Sequence, residues 1–172
     1  SACRQKASLM GKALPGELQS PDRWLNWKPV NRNERWTKMP IRTNGSPASS
    51  TDWNSWTSFD AASAHSDRLG FALGGGIGCI DFDDVIVDWV LDPTVAEWLK
   101  DWPPAFMEVS PPGTGLHVWG LFSGARGRVK QVCAVSVEVY SYGRYMTVTR
   151  KSFRGSVPVL ADLTEFRKML IR

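Results

Sequence analysis

Apolar and polar residues change period several times along the chain, and each change predicts an element. Residues 1–20 are polar and weakly patterned, broken by Gly11, Pro15 and Gly16, which suits a short helix or arm followed by a loop. From Trp24 the chain interleaves Trp24, Trp27 and Trp36 with Lys28, Arg32, Arg35, Lys38 and Arg42, before turn-rich residues 43–50. Over 51–66, Thr51 and Asp52 can cap a helix in which Trp56, Phe59, Ala62 and Ala64 recur near the helical period. Residues 69–80 form an apolar, strand-like run containing Gly74, Gly75, Gly76 and Gly78, and deliver the chain into Asp81, Phe82, Asp83 and Asp84. Residues 93–101 predict another helix, with Pro93 in its first turn and Val95, Trp98 and Leu99 on one side; Pro103 and Pro104 stop it. Residues 106–110 and 116–122 read as two strands joined by the tight sequence Pro111-Pro112-Gly113-Thr114-Gly115. Over 132–140, Val135, Val137 and Val139 fall on one face, Ser136, Glu138 and Tyr140 on the other. Residues 145–149 predict a further strand after a turn at Gly143. The last helix spans 162–172, with Asp162 and Glu165 at capping-box spacing and Leu163, Phe166 and Leu170 on one stripe.

Composition narrows the class. The 172 residues, 42% apolar and 22% charged, are enough to close a core. The net charge of +4 says little, but its distribution says more: residues 1–80 carry ten bases and six acids, 81–108 one base and eight acids, and 122–172 ten bases and three acids. An acidic centre between two basic flanks suits a site that holds divalent cations while polyanions approach. The longest uncharged stretch, 109–125, contains Pro111, Pro112 and several glycines, so no membrane span is expected. No secretory pattern opens the chain, and the expected location is the cytoplasm, that of a bacterial host if the gene is phage- or plasmid-borne. Cys3, Cys79 and Cys133 are odd in number and far apart, which argues against disulfides or a zinc site and for reduced, mostly buried thiols.

The chemistry centres on Asp81 and Asp83. A strand's two-residue period puts both carboxylates on one face while Phe82 points to the core, and two such charges side by side repel unless a divalent cation such as Mg²⁺ or Mn²⁺ sits between them. Glu138, on the polar face of a valine-rich strand, can complete a metal triad of the kind used in phosphoryl or nucleotidyl transfer. His117, facing away from Leu116 and Val118 just after the glycine-rich turn, suits a triphosphate contact, and that turn offers backbone N–H groups. Lys38, Arg144, Arg150, Lys151 and Arg154 are candidate phosphate contacts, and the tryptophans among bases near the start suit nucleic-acid stacking or, equally, core packing. There is no Walker sequence, dinucleotide fingerprint, His-Glu-x-x-His or nucleophile elbow.

The order of these motifs is more specific than any one of them. Ile80-Asp81-Phe82-Asp83, then Ser110-Pro-Pro-Gly-Thr-Gly-Leu-His117, then Val137-Glu138-Val139-Tyr140-Ser141 with Gly143-Arg144-Tyr145 and Thr147-Val148-Thr149, resembles the archaeo-eukaryotic primase superfamily, and within it the phage and plasmid primase-polymerases. Trp36-Thr-Lys38-Met-Pro40 and the stretch from Ser50 to Phe59 resemble that group's N-terminal half, so the resemblance covers roughly residues 22–150. It implies that Asp81, Asp83 and Glu138 bind the catalytic Mg²⁺ or Mn²⁺. It also implies that His117 contacts the incoming nucleotide's phosphates, that Ser110, Gly113 and Gly115 shape the turn, that Arg144 and Lys38 add phosphate or template contacts, and that Tyr145 reads the sugar. The chain departs from the family at Thr149-Arg150-Lys151, where members often have Thr-Gly.

The expected architecture is α+β: an RRM-like catalytic sheet beside an N-terminal α/β unit, with the active-site cleft between them. The divisions expected are an arm at 1–20, a catalytic domain at 21–160 and a helix at 161–172 leading to a helical or helicase region. The expected function is template-directed nucleotide addition, DNA primase or polymerase, on a single-stranded DNA template with dNTP or NTP substrates and a replicative helicase as partner. A metal-dependent nuclease and a non-catalytic single-strand-binding module are the alternatives.

Overall fold

In the computed structural model, which describes residues 14–171, three two-residue turns organise most of the hairpins. Asn33 and Glu34, Asp88 and Trp89, and Cys133 and Ala134 all take positive φ, between 49° and 65°. Such turns twist in the sense that flanking strands need. The first joins β1 (Trp24–Arg32) to β2 (Arg35–Ile41), the second β5 (Ile86–Val87) to β6 (Val90–Leu91), the third β9 (Arg126–Val132) to β10 (Val135–Tyr140). The other strands are β3 (Leu69–Ala72), β4 (Ile77–Asp83), β7 (Phe106–Val109), β8 (Leu116–Leu121), β11 (Tyr145–Val148) and β12 (Ala161–Asp162). Among the described residues four helices accompany them: α1 (Gly16–Gln19), α2 (Phe59–His65), α3 (Pro93–Lys100) and α4 (Thr164–Leu170).

Two sheets carry the fold. The first has strand order β11-β3-β1-β2, and the second β12-β8-β4-β10-β9, with β7 also paired to β8. All pairings are antiparallel except the short one between β12 and β8. One face of the second sheet, through Ile80, Phe82, Val118, Val137 and Val139, packs on α3 and α4 with Val95, Trp102, Leu163 and Leu170. Its other face sets Cys79, Phe106, Trp119 and Tyr140 against Trp24, Leu69, Phe71, Met146 and Val148 of the first sheet. Phe71 and Trp119 meet edge to face there, ring centroids 5.9 Å apart. No helix among the described residues is long and apolar enough to cross a membrane.

Several expectations hold and several are corrected. The α3 helix forms as predicted, with Asp92 Oδ1 accepting the N–H groups of Thr94 and Val95 and Pro93 in the first turn. The run 69–80 is two strands, because Gly74, Gly75 and Gly76 take positive φ and turn the chain between them. The stretch 132–140 begins with the end of β9 and the Cys133-Ala134 turn. The helix expected over 51–66 is a 3₁₀ turn at Trp53–Ser55 and then α2 from Phe59, capped by Ser58 Oγ. Asp162 accepts the N–H of Thr164 and not that of Glu165, so no capping box forms. Cys79 is buried, but Cys133 lies exposed in its turn, and Cys3 falls outside the described residues, as does most of the arm expected at 1–20. The first sheet is not wholly N-terminal: β11 returns to it late in the chain and pairs with β3.

The hairpin β1–β2 reaches beyond its sheet. Only Trp24, Leu25 and Asn26 of β1 pair with β3, which leaves the distal half of the strand without a neighbour on that side. Pro29 sits there, where its missing N–H costs nothing, and Pro40 lies on the edge strand β2.

Candidate active site

Strands β7, β8, β4 and β10 lie side by side, and their register sets Glu108 opposite His117, His117 opposite Asp81, and Asp81 opposite Glu138. Cross-strand partners share a face, so four ionisable side chains form one row across four strands. Two residues further along the same strands the row is Phe106, Trp119, Cys79 and Tyr140, the apolar set that meets the first sheet. The period-2 geometry read for Asp81 and Asp83 continues this pattern, with Phe82 between them fully buried on the opposite face.

Glu108 has 0% exposure, and a carboxylate so placed must have its oxygens satisfied. Oε1 accepts from His117 Nδ1 at 3.1 Å and Trp119 Nε1 at 3.2 Å; Oε2 accepts from the N–H groups of Thr149 and Arg150 at 3.0 and 2.9 Å and from Thr149 Oγ1 at 3.3 Å. With Nδ1–H committed to Glu108, His117 turns Nε2 toward Asp81 Oδ1, 3.6 Å away. Burial alone would lower the His117 pKa, but the hydrogen bond it donates to Glu108 and the charges of Asp81 and Glu108 outweigh it, and the imidazole pKa is raised above its ordinary value.

Asp81 is placed differently. Its Oδ1 is buried without a hydrogen-bond partner. Burial, with the charges of Asp83 and Glu138 adding to it against the pull of His117, pushes its carboxyl up to about 6. Asp83, less buried, is raised too, by burial first and then by Glu138, while a 3.4 Å hydrogen bond from Ser136 Oγ opposes the shift. Glu138 Oε2 accepts from the Tyr140 hydroxyl, which itself accepts from Arg144 Nη1 at 2.7 Å. The Arg144 guanidinium also lies over the Tyr140 ring, 4.3 Å from its centroid. That ring crosses β9 at Gly127, where a Cβ would stand 2.2 Å from a Tyr140 ring carbon.

The row opens into a cleft of about 640 Å³ between the two sheets. Asp81, Asp83, His117 and the Ser110-Pro111-Pro112 turn line one side; Trp36, Lys38, Pro40, Arg144, Tyr145 and Thr147 line the other. Of the residues singled out by sequence, Lys38, Asp81, Asp83, Ser110, His117, Arg144 and Tyr145 are thus brought together, while Glu138, Gly113 and Gly115 are not part of the lining. The turn spends two of its N–H groups internally: Gly113 donates to the Ser110 carbonyl and Gly115 to Ser110 Oγ, each at 2.9 Å. These two amides are therefore not offered to a ligand, contrary to expectation. Tyr145 crosses β3 over Gly70, where a Cβ would come within 2.6 Å of the ring, and donates its hydroxyl to the Lys38 carbonyl. Burial pushes that phenol to about 12.

Sequence reasoning missed Glu108 and the Tyr140 bridge. Glu108 was visible as the one acid of a short apolar strand, alternating with Phe106 on the face that His117 also takes across a short hairpin. The Tyr140 bridge had a weaker signal, since only the backbone path brings Arg144 back over it.

Among the described residues no group of three His, Cys, Asp or Glu side chains stands ready to hold a metal ion. No family model matches the chain. A DNA primase-polymerase of the phage NrS-1 of Nitratiruptor is 35% identical to it over 149 residues, 77% of this chain. Over those residues the chain is similar to a phage primase-polymerase. It spans 20% of the length of that relative, so the likeness covers a domain-sized part of a much longer primase-polymerase.

Proposed function

We propose that this chain performs template-directed nucleotidyl transfer, joining the α-phosphate of an incoming nucleotide to a hydroxyl of a primer or initiating nucleotide and releasing pyrophosphate. The observation that carries this reading is the row Glu108, His117, Asp81 and Glu138 across four strands, whose His117 and Asp81, with Asp83, line a cleft of about 640 Å³ that also takes Lys38 and Arg144 into its wall. Acids on one wall and bases on the other suit a triphosphate with its cations.

The donor set fits a hard divalent cation. Asp81 and Asp83 share a face, Asp81 Oδ1 is buried with no hydrogen bond to satisfy it, and Glu138 stands directly across the strand pair. Asp81 and Asp83 would hold Mg²⁺ or Mn²⁺, with Glu138 as a further ligand if released from Tyr140, and the ion would supply charge to the phosphates and acidity to the attacking hydroxyl. The chain's own residues do the rest. Glu108 fixes the His117 ring, so that Nε2 faces Asp81 beside the cleft and can donate to a phosphate oxygen. Lys38 and Arg144 offset the negative charge that accumulates on the leaving pyrophosphate. Tyr145, its hydroxyl already bound to Lys38, presents a fixed ring edge to the sugar. In this reading the second sheet is the RRM-like catalytic sheet, the template is single-stranded DNA, and a replicative helicase is the partner that exposes it.

The test is a gel assay with a single-stranded template, with and without a labelled primer, in dNTPs or NTPs and Mg²⁺ or Mn²⁺. Elongated product that requires nucleotide and disappears in Asp83→Ala supports the reading. Shortened strands without any nucleotide requirement would replace it with a nuclease.

A further inference from the structure

We infer that one side of the β1–β2 hairpin, carrying Trp27, Lys38 and Trp36, forms with Arg68 and the Arg150-Lys151 turn a track for single-stranded DNA that leads into the candidate active cleft.

The hairpin register pairs Trp27 with Pro40, Pro29 with Lys38 and Asn31 with Trp36. Directly paired residues, and residues two apart, share a side of the ribbon, so Trp27, Lys38 and Trp36 face the same way. The structure sorts the three tryptophans that the sequence interleaves with bases. Trp24 is at 0% exposure and packs on Phe59 and Phe71, which removes it from recognition. Trp36 is 71% exposed and lines the active cleft. Trp27 lines a second cavity of about 680 Å³ with Asp67, Arg68, Thr149, Arg150 and Lys151. The two cavities share Pro111 and Thr147 and so adjoin one another on the surface.

Outside Asp81 and Asp83 at its cleft end, charge along this path is mostly positive. Lys38, Arg68, Arg150 and Lys151 stand against Asp67, which pairs with Arg150 at 3.0 Å. The Lys38 ammonium and the Arg68 guanidinium lie 5.9 and 5.6 Å from the Trp27 ring centroid. That is the outer limit of a cation–π contact, and both side chains are exposed, so a base can take the ring while the cations move to its phosphates. Alternating rings and cations match a strand that alternates bases and phosphates. That DNA on this track reaches a nucleotidyl-transfer site rests on the reading above; that the track binds single-stranded DNA does not.

The experiment is fluorescence anisotropy of labelled oligothymidine with the whole chain, in EDTA and without nucleotides. Trp27→Ala is expected to weaken binding roughly 5- to 100-fold. The doubly exposed change Arg68→Glu with Lys151→Glu, which leaves the core alone, is expected to weaken it by at least about tenfold and to flatten its salt dependence. Trp89→Ala, an exposed ring stacked on Phe153 away from the path, is the unchanged control. If Trp27→Ala and the charge-reversed variant, folded by circular dichroism, both bind within about twofold of the parent, the track is overturned. Asp81→Asn with Asp83→Asn separates the two claims, because it is expected to abolish extension and keep binding. Trp27-dependent binding by a parent that extends nothing sustains the track and overturns the functional reading, while extension with Trp27-independent binding does the reverse.

Discussion

Two rows of side chains, two residues apart on the same four strands, divide the inner face of the second sheet. Phe106, Trp119, Cys79 and Tyr140 pack against the first sheet; of Glu108, His117, Asp81 and Glu138, the middle pair His117 and Asp81 lines the cleft. The backbone treats both rows alike, so what separates a core from a candidate active site is side-chain identity at a fixed register. The polar row is itself divided. Glu108 is satisfied by the His117 and Trp119 rings and by two backbone amides just after β11, whereas Asp81 Oδ1 is buried with no hydrogen bond and only the His117 imidazole 3.6 Å away. The satisfied carboxylate holds the row in place, and the unsatisfied one is where a cation would be welcome.

Breaking the apolar row should cost the most. Trp119→Ala is expected to destabilise the fold by about 3–5 kcal/mol in chemical denaturation, since the ring is fully buried against Phe71 and its N–H is held by Glu108. Glu108→Gln comes next, at about 2–3 kcal/mol, because an amide cannot accept from every donor aimed at it. Its activity should fall as well, through a loosened His117.

Asp81→Asn should move in the opposite direction. A carboxyl raised from 3.8 to about 6 favours the protonated form in the folded protein, so its ionisation removes stability as pH rises through that window, and the loss is complete above it. Without metal, Asp81→Asn is therefore expected to be more stable than the parent at pH 7 by roughly 3 kcal/mol and nearly indistinguishable from it below about pH 4, measured by thermal unfolding. The raised His117 pKa has the same sign, with stability present below its ordinary value and lost as pH climbs through the folded one. The smallest change is Tyr140→Phe, which keeps the ring beneath Arg144 and deletes its link to Glu138, at about 1 kcal/mol in denaturation.

These contrasts also explain what the sequence made legible. The shared face of Asp81 and Asp83 follows from strand period alone, and so does the outward face of Glu138. That Glu138 stands opposite Asp81 depends on register, which a one-residue slip would reverse and which no local pattern of β10 specifies. Glu108 escaped notice because a lone acid in a short strand reads as an exposed residue until the neighbouring strand supplies its histidine. The β1–β2 hairpin escaped because two prolines and a dense mixture of tryptophans and bases hide its alternation, although both prolines occupy positions that need no ladder hydrogen bond. The glycine-rich turn was legible as a turn, but not that it closes on its own amides.

The central claim, that the polar row is a cation-dependent nucleotidyl-transfer site, is tested most directly by measuring Mn²⁺-dependent primer extension and metal-free melting temperature on the same samples of the parent and Asp81→Asn. In Asp81→Asn, extension is expected to fall by on the order of 10³-fold or more while the metal-free protein melts higher. Extension that survives the substitution, or that is lost together with a lowered melting temperature, would contradict the claim.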